Sequence, residues 1–489
     1  MEAHAVARHL GSWSTGKGPL QHKLARALTQ AIRYGALHPG IRLPSERALA
    51  QALTLSRTTV VAAYDALRET GWLESRPGSG TWVSEKSTAI SGVREAAQAS
   101  ALAASPLLTL LAQREEDDMI DFALGSPLPL RELPLDLFSV PPDEYTALVR
   151  DRRYYPLGLR ALREAIATYY EDTGMPTRPE QILVTNGSQQ AIALCSALYL
   201  QRGDSALVED PTYFGALDAF RAAGARVSGL PVESDGVRPS VLRDRIGATA
   251  ARLVYLTSSF QNPTGAVMQK TARKEVARIA AELDVPVMDD GTLADLALEG
   301  SPPSGIAVHA PEAAVLTLGS LSKLLWPGLR VGWVRAPEPI IERLARVRSA
   351  VDLGSPLVTQ AIAVRLLGAI DEARRLRRME LMPRRDLLAD LLTENLPEWT
   401  FRVPSGGLFL WVKLPCGDAR EFAQVTLRHG VVVLPGPVMS AADQHASYLR
   451  LPFLAEPEIL ETGIRRLRAA WREYQSSDRR ERRQSLALV

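Results

Sequence analysis

The sequence predicts two units in one chain: a small helical unit closed by a glycine-tipped hairpin, then a large α/β body on a largely parallel sheet. Three observations carry this. Apolar residues recur at helical spacing between Leu20 and Leu67 and then give way to two short β-rich runs. A Ser/Ala/Gln-rich stretch, 86–118, with a charged cluster at Arg114–Asp118, reads as a linker. From Met119 onward, short β-rich runs alternate with helical stretches, the pattern of a sheet with crossover helices. At 489 residues the chain is also too long for one hydrophobic core.

In the first unit, Leu20, Leu24, Leu28 and Ile32 mark an amphipathic helix, with Gly35 where its C-cap belongs. Pro39-Gly40 turns the chain. Ser45 then caps a helix that buries Leu49 and Leu53, and Ser56 caps a third with Val60, Tyr64 and Leu67 on its inner face. Gly71 stops that helix. Trp72-Leu73 and Thr81-Trp82-Val83 are two short strands joined through Arg76–Gly80, so the unit, over 17–85, is a winged helix. In the body, over 119–475, the β-rich runs include Gln181–Thr185, Ser205–Glu209, Arg252–Thr257, Val285–Asp289 and Val315–Gly319. The end, 476–489, reads as a basic, polar, frayed tail.

Composition narrows the function classes. Apolar residues are 46% and charged residues 23%, with a net charge of +2, so any nucleic-acid surface has to be local. Residues 1–85 hold ten Lys/Arg against six Asp/Glu, a mild basic bias of that kind. The two cysteines, Cys195 and Cys416, lie far apart and outside any CxxC pattern, which argues against a disulfide scaffold or a zinc site and fits a reducing cytoplasm. The N-terminus shows no signal-peptide pattern, and the longest apolar stretch, around 99–112, is broken by Ser105 and Pro106, short of the roughly 20 residues of a membrane span. The expectation is a cytoplasmic protein without a membrane partner.

A helix-turn-helix presents the N-terminus of its second helix to the major groove, where Arg and hydroxyl side chains reach phosphates and base edges. Here that helix begins Ser56-Arg57-Thr58-Thr59, and its dipole adds attraction for phosphate. Arg47, early in the preceding helix, can reach the backbone or a guanine. The string from Ala36 to Val83 resembles the GntR-type winged-helix family throughout. The resemblance implies that Arg47, Ser56, Arg57, Thr58, Thr59 and the wing glycine Gly78 face a double-stranded DNA operator.

The body carries ordered blocks of a second kind. "LTLGSLSKLLWPGLRVGW" sets Lys323 in a small-residue loop with Ser320 and Ser322 nearby and Arg330 following, a guanidinium suited to phosphate. "LVTNGSQQAIALCSALYL" is a strand, a turn and a helix, whose first amides at Gly187, Ser188 and Gln189 would cradle a phosphate. "VEDPTYFG" offers Tyr213, "SSFQNPTG" a sharp turn with Asn262, and "PVMDDGTLADL" a strand ending in Asp289 with Asp290 behind it. Pyridoxal 5′-phosphate needs this set: an amine, a phosphate cup, an acid at the pyridine nitrogen and a stacking wall. Over 119–470 the blocks resemble fold-type I aminotransferases in order and separation. That resemblance implies a large, mostly parallel-sheet domain with a smaller C-terminal α+β domain. It implies Lys323 for the Schiff base, Tyr213 on the ring, Asn262 on the ring 3′-oxygen, Asp289 (with Asp290 as fallback) at the pyridine nitrogen, and Arg450 as clamp for a substrate carboxylate.

A GntR-type head on such a body resembles the MocR/GabR-type transcription regulators. The resemblance implies a homodimer whose body senses an amino compound or the cofactor itself. The alternative is an active aminotransferase with an autoregulatory head. Two departures bear on that choice. The tyrosine expected two or three residues after the pyridine acid falls on Gly291 or Thr292. The tyrosine expected five residues before Gly158 is Arg153, followed by Tyr154 and Tyr155. Cofactor binding is expected to survive both changes, with at most a residual transaminase half-reaction.

Overall fold

The computed structural model describes all residues except 1, 11–12, 15–17, 34–35, 77–78, 86–118 and 487–489. Gly35, Gly78 and the linker therefore lie outside the described residues.

The head opens on a helix that local spacing does not announce. Helix α1 (Ala3–Leu10) buries Val6, Ala7 and Leu10, and Trp13 follows it into the same core. Helices α2 (Leu20–Arg33), α3 (Glu46–Leu53) and α4 (Arg57–Glu69) close that core with Leu24, Leu28, Leu49, Leu53, Val60, Tyr64 and Leu67. Ser45 Oγ accepts from the Ala48 amide and Ser56 Oγ from the Thr59 amide, each satisfying a donor that a helix start leaves open. Between α3 and α4, Thr54 holds a left-handed conformation (φ 52°). The wing is an antiparallel pair, β1 (Leu73–Arg76) with β2 (Gly80–Val83), and Arg76 lies over the Trp82 ring, 4.6 Å from its centroid.

The body's large sheet has seven strands: β4 (Ile182–Thr185), β5 (Ser205–Asp210), β6 (Arg226–Pro231), β7 (Ala251–Leu256), β8 (Val287–Asp290), β9 (Val315–Ser320) and β10 (Gly332–Arg335). Their order is β4-β10-β9-β8-β7-β5-β6, and β5 to β9 run parallel while β10 is antiparallel to both neighbours. Strands β4, β5 and β9 are buried along their whole length, as crossover helices on both faces demand, while the edge strand β6 is largely half-buried or exposed. One face packs on the helices Ser188–Tyr199, Phe214–Ala222 and Glu338–Ser349, the other on the larger core.

A second sheet joins β3 (Ile120–Phe122), β11 (Thr400–Phe401), β12 (Phe409–Lys413), β13 (Val431–Pro435) and β14 (Tyr448–Pro452) in the order β11-β12-β14-β13-β3. The smaller domain is thus not purely C-terminal, because β3, the first element after the linker, pairs parallel to β13 at its edge. The helix Pro457–Leu486 runs past residue 475 without a break. Among the described residues, no helix is long and apolar enough to cross a membrane.

Candidate cofactor site and DNA-facing surface

Parallel strands deliver their chemistry at their C-terminal edge, and here that edge gathers most of the expected residues. Gly187 (φ 84°) ends the β4 turn and caps the helix Ser188–Tyr199. A Cβ there would meet the Arg330 guanidinium at 2.9 Å, so glycine is what lets that cation stand over the helix N-terminus. Arg330 donates to the Asn186 carbonyl at 2.6 Å. Ser320 Oγ accepts from the Ser322 amide at 3.2 Å, and Gln189 Nε2 donates to the Gly215 carbonyl at 2.8 Å. Amides, hydroxyls and a guanidinium converge here, the makings of an oxyanion cup, with the Asp352 carboxylate bonded to Asn186 and Gln190 at its side.

Lys323 leaves β9 three residues after its end and donates Nζ to the Gly125 carbonyl at 2.6 Å. Burial pushes its ammonium down to about 8; the Arg450 and Arg330 charges add to the fall and Asp290 opposes it. Arg450, on β14, is 2% exposed. It donates to Asn262 Oδ1 at 3.1 Å and to the Ala123 carbonyl, and its guanidinium stands 4.1 Å from the centroid of Phe409. Burial pushes it down to about 9, and its Nε has no hydrogen-bond partner. A buried cation bonded only to neutral acceptors is costly unless an anion joins it. Tyr213 is half-buried beside Phe214, and burial raises its phenol to about 12.

The two neighbouring acids, Asp289 and its fallback Asp290, face opposite sides of β8. Alternate residues of a strand face opposite sides. In β8, Met288 packs on the face that carries the helix Ser188–Tyr199, whereas Val287 packs on the other. Asp289 shares the side of Val287: its carboxylate accepts from Ser258 Oγ at 2.6 Å and from the Ile306 amide at 2.9 Å. Asp290 is the carboxylate on the lysine's side. It accepts from the Tyr255 hydroxyl at 2.5 Å and from the Thr292 amide at 3.0 Å, and its charge is felt by both Lys323 and Tyr213. Gly291 cannot supply the expected phenol either, since a Cβ there would lie 2.9 Å from the Leu318 carbonyl oxygen.

Whether pyridoxal phosphate fits can be judged from polar atoms without partners. Ser322 Oγ, Thr292 Oγ1, Gln189 Oε1 and Asn186 Oδ1 are buried with no hydrogen-bond partner. Such atoms normally find one, and these belong to the residues around the cup and the lysine. The residues fit the group. Tyr255 and Asn186 were not singled out from sequence; "LVTN" and "VYLT" place them at strand ends, and that position was the available signal.

On the head, Arg47, Ser56, Arg57 and Thr58 are exposed and Thr59 is half-buried. Ser56 Oγ lies 2.7 Å from Thr58 Oγ1 and 2.8 Å from Thr59 Oγ1, a hydroxyl cluster on the first turn of α4.

This is a winged helix-turn-helix joined to an aminotransferase fold. The family model for bacterial regulatory proteins of the gntR family matches residues 20–83, and the model for aminotransferase class I and II matches residues 146–467. An uncharacterized HTH-type transcriptional regulator of Bacillus subtilis, YisV, is 32% identical over 470 residues, spanning 91% of this chain and 95% of that protein. The probable rhizopine catabolism regulatory protein MocR of Rhizobium meliloti is 30% identical over 404 residues, 78% of each chain. The crystal structure of LysN, an alpha-aminoadipate aminotransferase from Thermus thermophilus complexed with N-(5′-phosphopyridoxyl)-L-leucine, superposes with a TM-score of 0.68. It has 29% identity and covers 76% of this chain and 95% of that one. The chain belongs to the MocR-type transcription regulators, with a GntR-type DNA-binding head and a pyridoxal-phosphate-dependent aminotransferase-like domain.

Proposed function

We propose that the protein binds an operator through α4 and adjusts that binding when its body captures a carboxylate-bearing amino compound. The observation that carries this reading is Arg450: a buried guanidinium bonded only to neutral acceptors, electrostatically linked to the Lys323 amine. A ligand with both an amine and a carboxylate satisfies the two groups at once. Arg450 orients the carboxylate, and Lys323, partly neutral near pH 8, holds or gives up a proton at Nζ. Gly187, Ser188, Gln189, Ser320, Ser322 and Arg330 would hold the phosphate, Asn262 the ring oxygen, Asp290 the pyridine nitrogen and Tyr213 the ring face. Bound there, pyridoxal phosphate supplies an aldehyde for the lysine and an electron-withdrawing ring.

On the head, the assigned contacts are Arg47, Ser56, Arg57, Thr58 and Thr59, with Gly78 at the wing. Arg57 and Arg47 have no carboxylate partner among the described residues, which leaves them available to phosphate or guanine. A homodimer would present two such heads to two half-sites. Tyr154, 74% exposed next to Tyr155, supports a subunit contact there. A regulator of this kind works where the DNA is, in the cytoplasm.

A slow transaminase half-reaction is a second reading, favoured by the convergence of Lys323, Asn262, Asp290 and Arg450 and limited by the missing phenol. The test is borohydride reduction and mapping of the ligand-free, cofactor-loaded protein and, on a separate sample, an absorbance titration with amino compounds. The reading expects a colour change with a carboxylate-bearing compound and the label on Lys323. A label on Lys270 or Lys274 refutes the site.

A further inference from the structure

Both cations of the ligand site bind carbonyls of one segment. Arg450 donates to Ala123 and Lys323 to Gly125, immediately after β3. At its other end β3 is tied differently: the Ile120 amide donates to the Gly430 carbonyl at 2.9 Å, and Ile120, Asp121 and Phe122 pair with Val431, Val432 and Val433. Gly430 follows the C-cap residue His429 of the helix Ala419–Arg428.

That helix holds the head. Arg428 Nη1 donates to Thr54 Oγ1 at 3.1 Å and to the Leu53 carbonyl at 3.4 Å, while Nη2 donates to Glu473 at 2.8 Å. Trp13 Nε1 adds a bond to Gln424 Oε1 at 3.3 Å. Leu53 and Thr54 form the turn between α3 and α4, two residues ahead of the cap of the recognition helix. Three consecutive residues of β3, about 10 Å of extended chain, thus span from the ligand clamp to the residue that grips the helix-turn-helix.

We infer that β3 and Arg428 form the mechanical link between ligand capture and DNA affinity. A carboxylate on Arg450 and a cofactor on Lys323 take over the donors now given to Ala123 and Gly125. The 123–125 segment then resettles, β3 moves with it, and the Gly430–Arg428 corner shifts the Leu53–Thr54 turn. A ligand shifts an equilibrium only through contacts that differ between two states, and these two carbonyl bonds are such contacts. Arg428 is a positioning residue here, since it touches neither ligand nor DNA. The inference rests on the regulator reading above.

The test uses the full chain and a duplex selected from random sequence by the wild type. DNA affinity is measured without cofactor, with pyridoxal 5′-phosphate, and with cofactor plus a panel of L-α-amino acids; absorbance is followed in parallel. Allosteric coupling typically spans about 5- to 150-fold. Arg428→Ala is expected to take up cofactor and bind DNA as the wild type does, with its ligand-dependent change reduced to within about twofold. Arg428→Lys, which keeps a donor for Thr54, restores part of it. Ile120→Pro deletes the amide that reaches Gly430 and is expected to uncouple without touching the head. Full-sized coupling retained in both Arg428→Ala and Ile120→Pro overturns the link and leaves the regulator reading standing. A wild type that takes up cofactor and binds DNA, yet shows no change with any probe, overturns both.

Discussion

Arginine does opposite work in the two halves of this molecule. In the head, Arg47 and Arg57 stand exposed on short helices, where a guanidinium costs little and meets any phosphate that arrives. In the body, Arg450 is 2% exposed with no carboxylate bonded to it. Exposed cations give affinity that salt screens away, because phosphate contacts release counterions. A buried cation gives selectivity, because only a ligand whose anion reaches it repays its desolvation. The head is built to hold DNA and the body to discriminate among small molecules, and the interest of the chain lies in their connection.

Lys323→Ala should show the largest effect: complete loss of the covalent, borohydride-reducible link to the cofactor with the fold retained, checked by peptide mapping and circular dichroism. A reduced adduct on another lysine of this variant would place the covalent site elsewhere. The burial that depresses this amine also fixes a pH dependence. Its ammonium is half-deprotonated near pH 8 instead of the usual ~10.4 for lysine. The rate of colour formation on adding cofactor should therefore rise through about pH 8 and level off above it; a midpoint near 10 would contradict the buried setting.

Next comes the pair of neighbouring acids. Asp290→Asn should shift the band and loosen the cofactor, because it removes the carboxylate on the lysine's side of β8. Asp289→Asn should leave the band unchanged and lower stability by about 1–3 kcal/mol, the cost of disturbing its buried bonds to Ser258 and Ile306. The reverse pattern in spectra and thermal melts would restore the assignment made from sequence.

Arg450→Ala should abolish the response to carboxylate-bearing compounds while leaving cofactor uptake and ligand-free DNA binding in place. The expected loss in ligand affinity is about 2–5 kcal/mol, that of truncating one side of a buried charge pair. Arg57→Ala should be the mildest, weakening operator binding by about 1–3 kcal/mol if it reads a base, with a shallower salt dependence and an unaltered ligand titration. Equal losses of ligand binding and DNA binding in either variant would undo the division of labour between the halves.

Much of this was legible in the sequence because it is local. Leu24, Leu28 and Ile32 keep helical spacing, Ser45 and Ser56 cap the helices their positions predict, and each cofactor block sits at a strand end. What escaped was short or alternating. Helix α1 has eight residues, too few for its spacing to stand out, although Val6 and Leu10 complete the head's core. Asp289 and Asp290 are chemically identical and adjacent, so only the pleat of β8 decides which faces the lysine. The contact of Arg428 with Thr54 spans 374 residues of chain, and no local pattern announces a pairing of that range.

The most direct test of the account is a double titration of the wild-type, cofactor-loaded protein bound to a fluorescent duplex. A carboxylate-bearing amino compound is added while absorbance and anisotropy are recorded on the same sample. The account predicts that the colour change and the DNA-affinity change share one midpoint, since a single capture event at Lys323 and Arg450 drives both. A complete colour change with DNA affinity constant throughout would contradict it, leaving an aminotransferase that happens to carry a DNA-binding head.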